Sequence, residues 1–371
     1  MRIRILHLVL TMDTGGLENG VVNIINGLDE TRYKSILCCI KHGGDLVERI
    51  NKDIKIIELN HYSGMQYSIV RRLKKIIIDE GVDVIHTRNY KPYMFGFVAG
   101  KILGSVALIH SEHGKDYPFR KIKMFIQRVF SYYTDGIIAL SSDIKSNMVN
   151  HIGIESSKIK VVINGVDTNK FSPAERSSDL IREFNIEEGD LVIGAVGRLV
   201  SVKNYPEMLL AVKNLKATSA NVKLIIVGDG PELESLQNLV HQYELSNEVC
   251  FAGSRSDISE ILRLFDIYVL TSTNEGLSNT LLEAMSSSIP VIVSRVGGNT
   301  EIVSSDSVGL TYSSGDYDEL TGKLRALSQD FGVRRQIAKN AREHIIKNYS
   351  LDAMIRNYAD MYTDVYSKHH K

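Results

Sequence analysis

Short, continuous apolar runs rich in Val and Ile recur along the chain, and the stretches between them carry apolar residues at helical spacing. In the first half the runs predict strands at 3–10, 35–40, 54–58, 84–87, 107–111 and 136–139. Further along they predict strands at 160–163, 191–196, 223–227, 249–251, 267–270 and 290–294. Strands apolar on both faces belong to parallel sheets covered by helices on both sides. The intervening helical stretches supply the right-handed crossovers such sheets require. The pattern predicts an α/β chain, doubly wound.

The alternation breaks once, near 164–190. There NGVDTNKFSPAERSSDL is polar, contains Pro173 and leads into a fresh strand, LVIGAVG. The break divides the 371 residues into two halves, 1–170 and 171–350, which suits a chain of this length. A last stretch, 351–371, has helical periodicity. Ligands of doubly wound folds sit beyond the carboxyl ends of the strands, so a crevice between the halves is the expected site.

Composition narrows the classes. Hydrophobic residues make up 43% of the chain, enough for sizeable cores, and 44 Lys+Arg balance 44 Asp+Glu. Such a balance does not call for nucleic acid as a partner. Cys38, Cys39 and Cys250 lie in strand-like runs without metal-ligand spacing and read as buried, reduced thiols. The opening MRIRILHLVL is too short and too charged for a signal peptide. No apolar run reaches the roughly 18 residues of a membrane span, so a cytoplasmic protein is expected.

The densest chemistry lies in TSTNEGLSNTLLEAMSSSIPVIVS, residues 271–294. A strand ends, a polar turn carries Glu275 and Gly276, and a helix starts near Ser278 with Glu283 on its second turn. A helix opening out of such a turn offers free N–H groups and a positive dipole end, a phosphate site built here from Gly276, Leu277, Ser278, Asn279 and Thr280. Glu275 and Glu283 can accept hydroxyls on either side of it, which is the layout of a nucleotide sugar.

This run resembles the E-x7-E motif of retaining glycosyltransferases with the GT-B fold, those of family 4 (glycosyl transferases group 1) in particular. EGLSNTLLEAM is similar to the family pattern over its length. The resemblance spans nearly the whole chain and is densest over 191–303. It implies two Rossmann-like domains facing each other across a crevice. Residues 1–170 form the acceptor side, the helix at about 351–371 crosses back to it, and 171–350 bind the nucleotide sugar.

Within that family Arg and Lys in a G-R-L…K-N context bind the diphosphate, and Arg198 and Lys203 of GAVGRLVSVKN match them. In VGDGP, Gly228 either borders the nucleotide or only shapes a tight turn, and Pro231 is read as the first residue of a helix. In FAGSRSDI, Arg255 either caps the base or is solvated. RVGGNTEIV resembles V-G-G-N-P-E-I-V with Thr300 in place of Pro, and its paired glycines allow close packing.

In the first half, Gly15 and Gly16 of TMDTGGLENG turn into a helix near Leu17, and in the family such a pair approaches the donor's phosphate and sugar. The turn is not G-x-G-x-x-G, which argues against a dinucleotide enzyme. A histidine at the end of the strand in LIHSEHGKD is catalytic in the family. His113 is the match and His110 the second candidate. DVIHTRNYKP resembles D-V-V-H-x-H, with His86 at the first histidine and Arg88 replacing the second, a departure that argues against a metal or a paired-histidine site and could alter acceptor binding. Asp316-Tyr317-Asp318 is the one Asp-x-Asp triplet and reads as a helix cap, so no metal is assigned. Residues 119–130, FRKIKMFIQRVF, carry Phe119, Ile122, Phe125, Ile126 and Val129 on one helical face with Arg120, Lys121, Lys123 and Arg128 around it. That face lies either in the core or on anionic lipid.

The resemblance implies a metal-independent, retaining transferase without a cofactor. It would move a hexose or N-acetylhexosamine from a nucleotide diphosphate sugar, a UDP-sugar first and a GDP-sugar second, to a saccharide or lipid-linked acceptor. The setting would be bacterial surface-polysaccharide assembly (lipopolysaccharide, capsule or exopolysaccharide), with peripheral contact on the cytoplasmic face of the inner membrane as one reading. Glu275 would hold the sugar, Glu283 the ribose, Arg198 and Lys203 the leaving diphosphate, and His113 would position the sugar. Two alternatives come from other classes: a nucleotide-sugar 2-epimerase, which shares the GT-B architecture, and a non-catalytic sugar-nucleotide-binding partner.

Overall fold

The computed structural model describes residues 2–13, 15–62, 67–113, 121–217 and 221–370. The chain forms two compact units, one of Met1–Asn164 with Leu351–Lys371 and one of Gly165–Ser350.

In the first unit the strands are β1 (Ile3–Val9), β2 (Tyr33–Cys39), β3 (Lys55–Glu58), β4 (Val84–Arg88), β5 (Ala107–Glu112), β6 (Gly136–Ala139) and β7 (Ile159–Val161). They lie in the order β3-β2-β1-β4-β5-β6-β7, all parallel. Successive side chains of a strand point to opposite faces. Leu6 and Leu8 accordingly pack with Ile36, Leu73 and Ile85. Ile5, on the other face, packs with Ile24, Val84 and Ile109 and with Met354, Tyr358 and Tyr362 of the helix Leu351–His369.

In the second unit the strands are β8 (Leu191–Val196), β9 (Val222–Val227), β10 (Val249–Gly253), β11 (Ile267–Leu270), β12 (Val291–Ser294) and β13 (Leu310–Tyr312). Their order is β10-β9-β8-β11-β12-β13, again parallel. Two buried clusters cover its faces, one around Val192, Tyr268, Leu281 and Val291 and one around Ile193, Leu209, Ile226, Val269 and Leu324. Both units show the order 3-2-1-4-5-6 of a Rossmann sheet, whose winding reverses between the first and fourth strands. That reversal falls between β1 and β4 in one unit and between β8 and β11 in the other.

The short edge strand β13 was not predicted. It has three residues after Gly309, too few to show a periodicity. Pro231 precedes the helix Leu233–Gln242 by two residues and lies in a turn, so it does not open the helix as expected. The expected helix over 119–130 is Lys121–Tyr133; Phe119 and Arg120 lie outside the described residues. That helix buries Gln127 and Ser131, while Ile122 and Phe125 are 69% and 67% exposed. The core reading of its apolar stripe is therefore wrong for Ile122, Phe125 and the exposed Val129. Cys38 and Cys39 are buried, and Cys250 is half-buried.

Candidate functional site

The carboxyl ends of the strands in the second unit are tied into one surface. Gly197 N–H donates to Val227 O (2.9 Å), Leu199 N–H to Asp229 O (2.9 Å) and Gly228 N–H to Gly253 O (2.8 Å). Across the reversal point, Thr273 N–H donates to Val202 O (2.8 Å) and Thr271 Oγ1 to Lys203 O (2.7 Å). Gly298 N–H reaches Glu275 O at 3.2 Å. Gly228 (φ +139°) and Gly297 (φ +46°) are required here: a Cβ would lie 2.0 Å from Gly197 O in the first case and 1.8 Å from Glu275 O in the second.

This surface carries the expected residues of the second unit from Arg198 to Glu283 other than Arg255. Arg198 lies two residues past the end of β8 and is exposed. Lys203 Nζ lies 2.7 Å from Glu275 Oε2, and Ser272 Oγ donates to the same oxygen at 2.9 Å. Gly276 is exposed in the same turn, with Leu277 half-buried behind it. Ser278 caps the helix Asn279–Ser286, its Oγ accepting from Leu281 N–H at 3.3 Å. The N–H groups of Asn279 and Thr280 are then without helical acceptors. Thr280 Oγ1 turns inward, bonded to Tyr268 Oη (2.8 Å) and Val196 O (3.2 Å). Glu283 sits half-buried in this helix. Its burial pushes the carboxyl up to about 7, against the opposing pull of Lys170.

An exposed arginine, a lysine and a helix N-terminus make a place for a phosphate group. The two glutamates beside it can accept from hydroxyls, Glu283 most strongly when ionised. Arg255 is engaged otherwise: Nε and Nη2 donate to Asp257 at 2.8 and 2.7 Å, Nη1 pairs with Glu183, and the guanidinium lies 5.8 Å from the Phe184 ring centre. A base cap would have to form with those two carboxylates attached. Asp316 Oδ1 accepts from Glu319 N–H at 2.9 Å and so caps the helix Tyr317–Gln329. Among the described residues no group of three His, Cys, Asp or Glu is arranged to hold a metal.

In the first unit, Gly15 is the N-cap of the helix Gly16–Gly27 and is extended, at φ −166°. A Cβ on Gly16 would meet nothing within 4 Å, while one on Gly15 would meet Glu18 Oε2 at 2.3 Å, so the Glu18 carboxylate covers this helix end and neither glycine serves a strained turn. His113 follows β5, and its N–H donates to Asn89 Oδ1 at 3.0 Å. Both its ring nitrogens are buried without a partner among the described residues, and burial, then the Arg88 charge, hold it well below the usual histidine range. His110 is packed in the core, stacked on Tyr93 at 3.8 Å and bonded to Thr87 Oγ1 at 3.2 Å.

Sequence reasoning missed the cluster around Arg88. The H-x-R of DVIHTRNYKP pointed to His86 and Arg88 but not to their burial, and His7, a lone histidine inside the apolar run IRILHLV, was passed over. His86 Nδ1 bonds Tyr362 Oη (2.7 Å), His86 Nε2 bonds Ser111 Oγ (2.6 Å) and His7 Nε2 bonds Ser35 Oγ (3.2 Å). Burial, and after it the Arg88 charge, lowers both His7 and His86 and keeps them neutral.

Two family models cover most of the chain: Glycosyltransferase Family 4 over residues 14–170 and Glycosyl transferases group 1 over residues 177–344. The UDP-Gal:alpha-D-GlcNAc-diphosphoundecaprenol alpha-1,3-galactosyltransferase of Escherichia coli is 26% identical, over 98% of this chain and 97% of its own. A glycosyltransferase from Rickettsia africae ESF-5 has the same fold, with a TM-score of 0.87 and 23% identity over 98% of both chains. Anabaena Alr3699/HepE, solved in complex with UDP, is similar with a TM-score of 0.82 and 21% identity, covering 98% of this chain and 100% of that one. With both halves matched and the two Rossmann sheets in place, the chain belongs to the GT-B glycosyltransferases of group 1.

Proposed function

We propose that the protein is a retaining glycosyltransferase that moves a hexose or N-acetylhexosamine from a nucleotide diphosphate sugar, with UDP as the first choice of nucleotide, to a lipid-linked or saccharide acceptor in surface-polysaccharide assembly. One observation carries it: the switch point of the second sheet gathers Arg198, the Lys203–Glu275 pair, a free helix end and Glu283. The UDP bound by the Anabaena protein and the lipid-linked acceptor in the Escherichia coli relative's name favour these substrates.

In this reading Glu283 holds the ribose and Glu275 the sugar. Arg198, Lys203 and the helix amides stabilise charge that grows on the leaving diphosphate, and interactions that strengthen in the transition state are the ones that raise turnover. His113, kept neutral, positions the sugar. Those groups take the place of a metal. The test is NMR of the product linkage with wild type and His113→Ala. Kept anomeric configuration, and a turnover that falls much more than UDP affinity, are expected. An inverted linkage refutes the retaining reading, and donor epimerised without acceptor would make the protein an isomerase.

A second reading concerns location. The helix Lys121–Tyr133 presents Ile122, Phe125, Val129, Tyr132 and Tyr133 to solvent, and it carries Lys121, Lys123 and Arg128 but no acidic residue. Among the described residues no helix is long and apolar enough to cross a membrane. Peripheral contact with anionic lipid suits such a helix. Co-sedimentation with anionic vesicles should drop with Ile122→Ser/Phe125→Ser, and equal binding of the variant refutes this contact.

A further inference from the structure

Arg88 ends β4 and is 1% exposed. Its Nη2 lies 3.3 Å from Nδ1 of His7 and equally far from Nδ1 of His86, while Nε and Nη1 have no hydrogen-bond partner. Among the described residues no carboxylate pairs with it, and only Tyr358 and Tyr362 offset the cost of its burial. An arginine does not escape that cost by giving up its proton. A buried cation without a counter-charge is expensive for the fold.

His113 belongs to the same place. Arg88 and Ser111 are partners across β4 and β5, Asn89 N–H donates to Ser111 O at 3.0 Å, and Asn89 in turn holds the His113 backbone. The two ring nitrogens of His113 are buried and unpartnered as well. At the carboxyl edge of this sheet, beside the reversal point, are therefore an uncompensated positive charge and several unused polar nitrogens. A sugar hydroxyl would supply an acceptor but no charge. A phosphate supplies both.

We propose that Arg88, next to the sugar-positioning His113, holds a phosphate-class anion in the first unit, and that the diphosphate of a lipid-linked acceptor is its source. The inference rests on the transferase reading and names the acceptor group that this reading leaves open. Position 88 is the last residue of its strand, and anion binding requires the long side chain to swing from its enclosure to the edge of the sheet. The arginine at this position is also where the chain departs from the H-x-H pattern, and a guanidinium recognises phosphate where an imidazole beside it stays neutral.

The test uses the full chain carrying Arg198→Ala and Lys203→Ala, which removes the competing cations of the second unit. Calorimetry with inorganic pyrophosphate and with geranyl diphosphate should show binding, weakened about tenfold or more when Arg88→Met is added. Without ligand, Arg88→Met should melt no lower than its parent, because it removes an uncompensated buried charge. Arg88→Lys keeps the charge but loses the shape; it should give an intermediate affinity, and it serves if the Met variant does not fold. Affinities unchanged by both substitutions overturn the proposal, as does an Arg88→Met chain that folds but melts several degrees lower. Pyrophosphate binding without geranyl diphosphate binding overturns the lipid source in favour of free phosphate. UDP binding by the unsubstituted chain reports on the donor reading alone, so its failure is distinct from failure here.

Discussion

Glu283 gives a test in which function and stability pull in opposite directions. Burial raises its carboxyl from 4.5 to about 7. A carboxyl raised on folding stabilises the native state fully below pH 4.5, and that contribution is lost as pH rises through about 7. The loss spans about two and a half pH units at about 1.4 kcal/mol each, or about 3 kcal/mol by pH 8. Glu283→Gln removes the ionisation and keeps the shape. Denaturant titration should therefore find the variant about 3 kcal/mol more stable than wild type at pH 8, with the gap closing towards pH 4. Ligand binding should run the other way. If the ionised carboxylate grips ribose hydroxyls, wild-type affinity for a nucleotide sugar should be about tenfold weaker at pH 6 than at pH 8, while the variant is weak and flat across that range. The diphosphate of a nucleotide sugar is a diester and does not titrate there, so calorimetry reads the protein's proton. A variant less stable than wild type at pH 8, or a wild-type affinity that does not change with pH, refutes the reasoning.

Other outcomes follow from the same geometry. Asp316→Ala should cost about 1 kcal/mol of stability as a lost N-cap and leave turnover unchanged, and a chelator should leave the rate unchanged too; activity lost to chelator and restored by a divalent ion would contradict both. Gly297→Ala places a Cβ 1.8 Å from Glu275 O at a φ of +46°, so it should collapse turnover while circular dichroism stays native. Near-normal turnover would show that the Glu275 turn does not depend on this glycine.

The fold was legible because both sheets are made of apolar runs that say "buried on two faces" without help from distant residues. The turn with Glu275, the cap at Ser278 and the cap at Asp316 were equally local, each set by a few neighbouring residues. What stayed hidden depends on sequence-distant pairs. The Lys203–Glu275 contact joins residues far apart in the chain, and so do the contacts of Arg88 with His7 and of His86 with Tyr362. Nothing in DVIHTRNYKP announces that its arginine is enclosed. Nor does helical spacing say which face of Lys121–Tyr133 turns inward: the polar Gln127 and Ser131 are buried, against the rule that periodicity alone suggests.

The helix Leu351–His369 has a consequence for how the molecule is made. It lays Met354, Tyr358, Tyr362 and Val365 on a sheet whose strands all precede Asn164, and Tyr33 Oη donates to Ala359 O at 3.0 Å. A ribosome delivers chain from one end only, and domains fold as their residues emerge. Gly165–Ser350 is contiguous and can close during synthesis. The earlier-made unit can close only in part, because Ile5, Val84 and Ile109 lack Met354, Tyr358 and Tyr362 until the helix Leu351–His369 is released. A chain stalled or clipped near Ser350 would thus carry a finished second unit and an unfinished first one, with an apolar face open to chaperones and proteases. The helix Leu351–His369 is a closing piece for the first unit, supplied only after the whole of the second has been made.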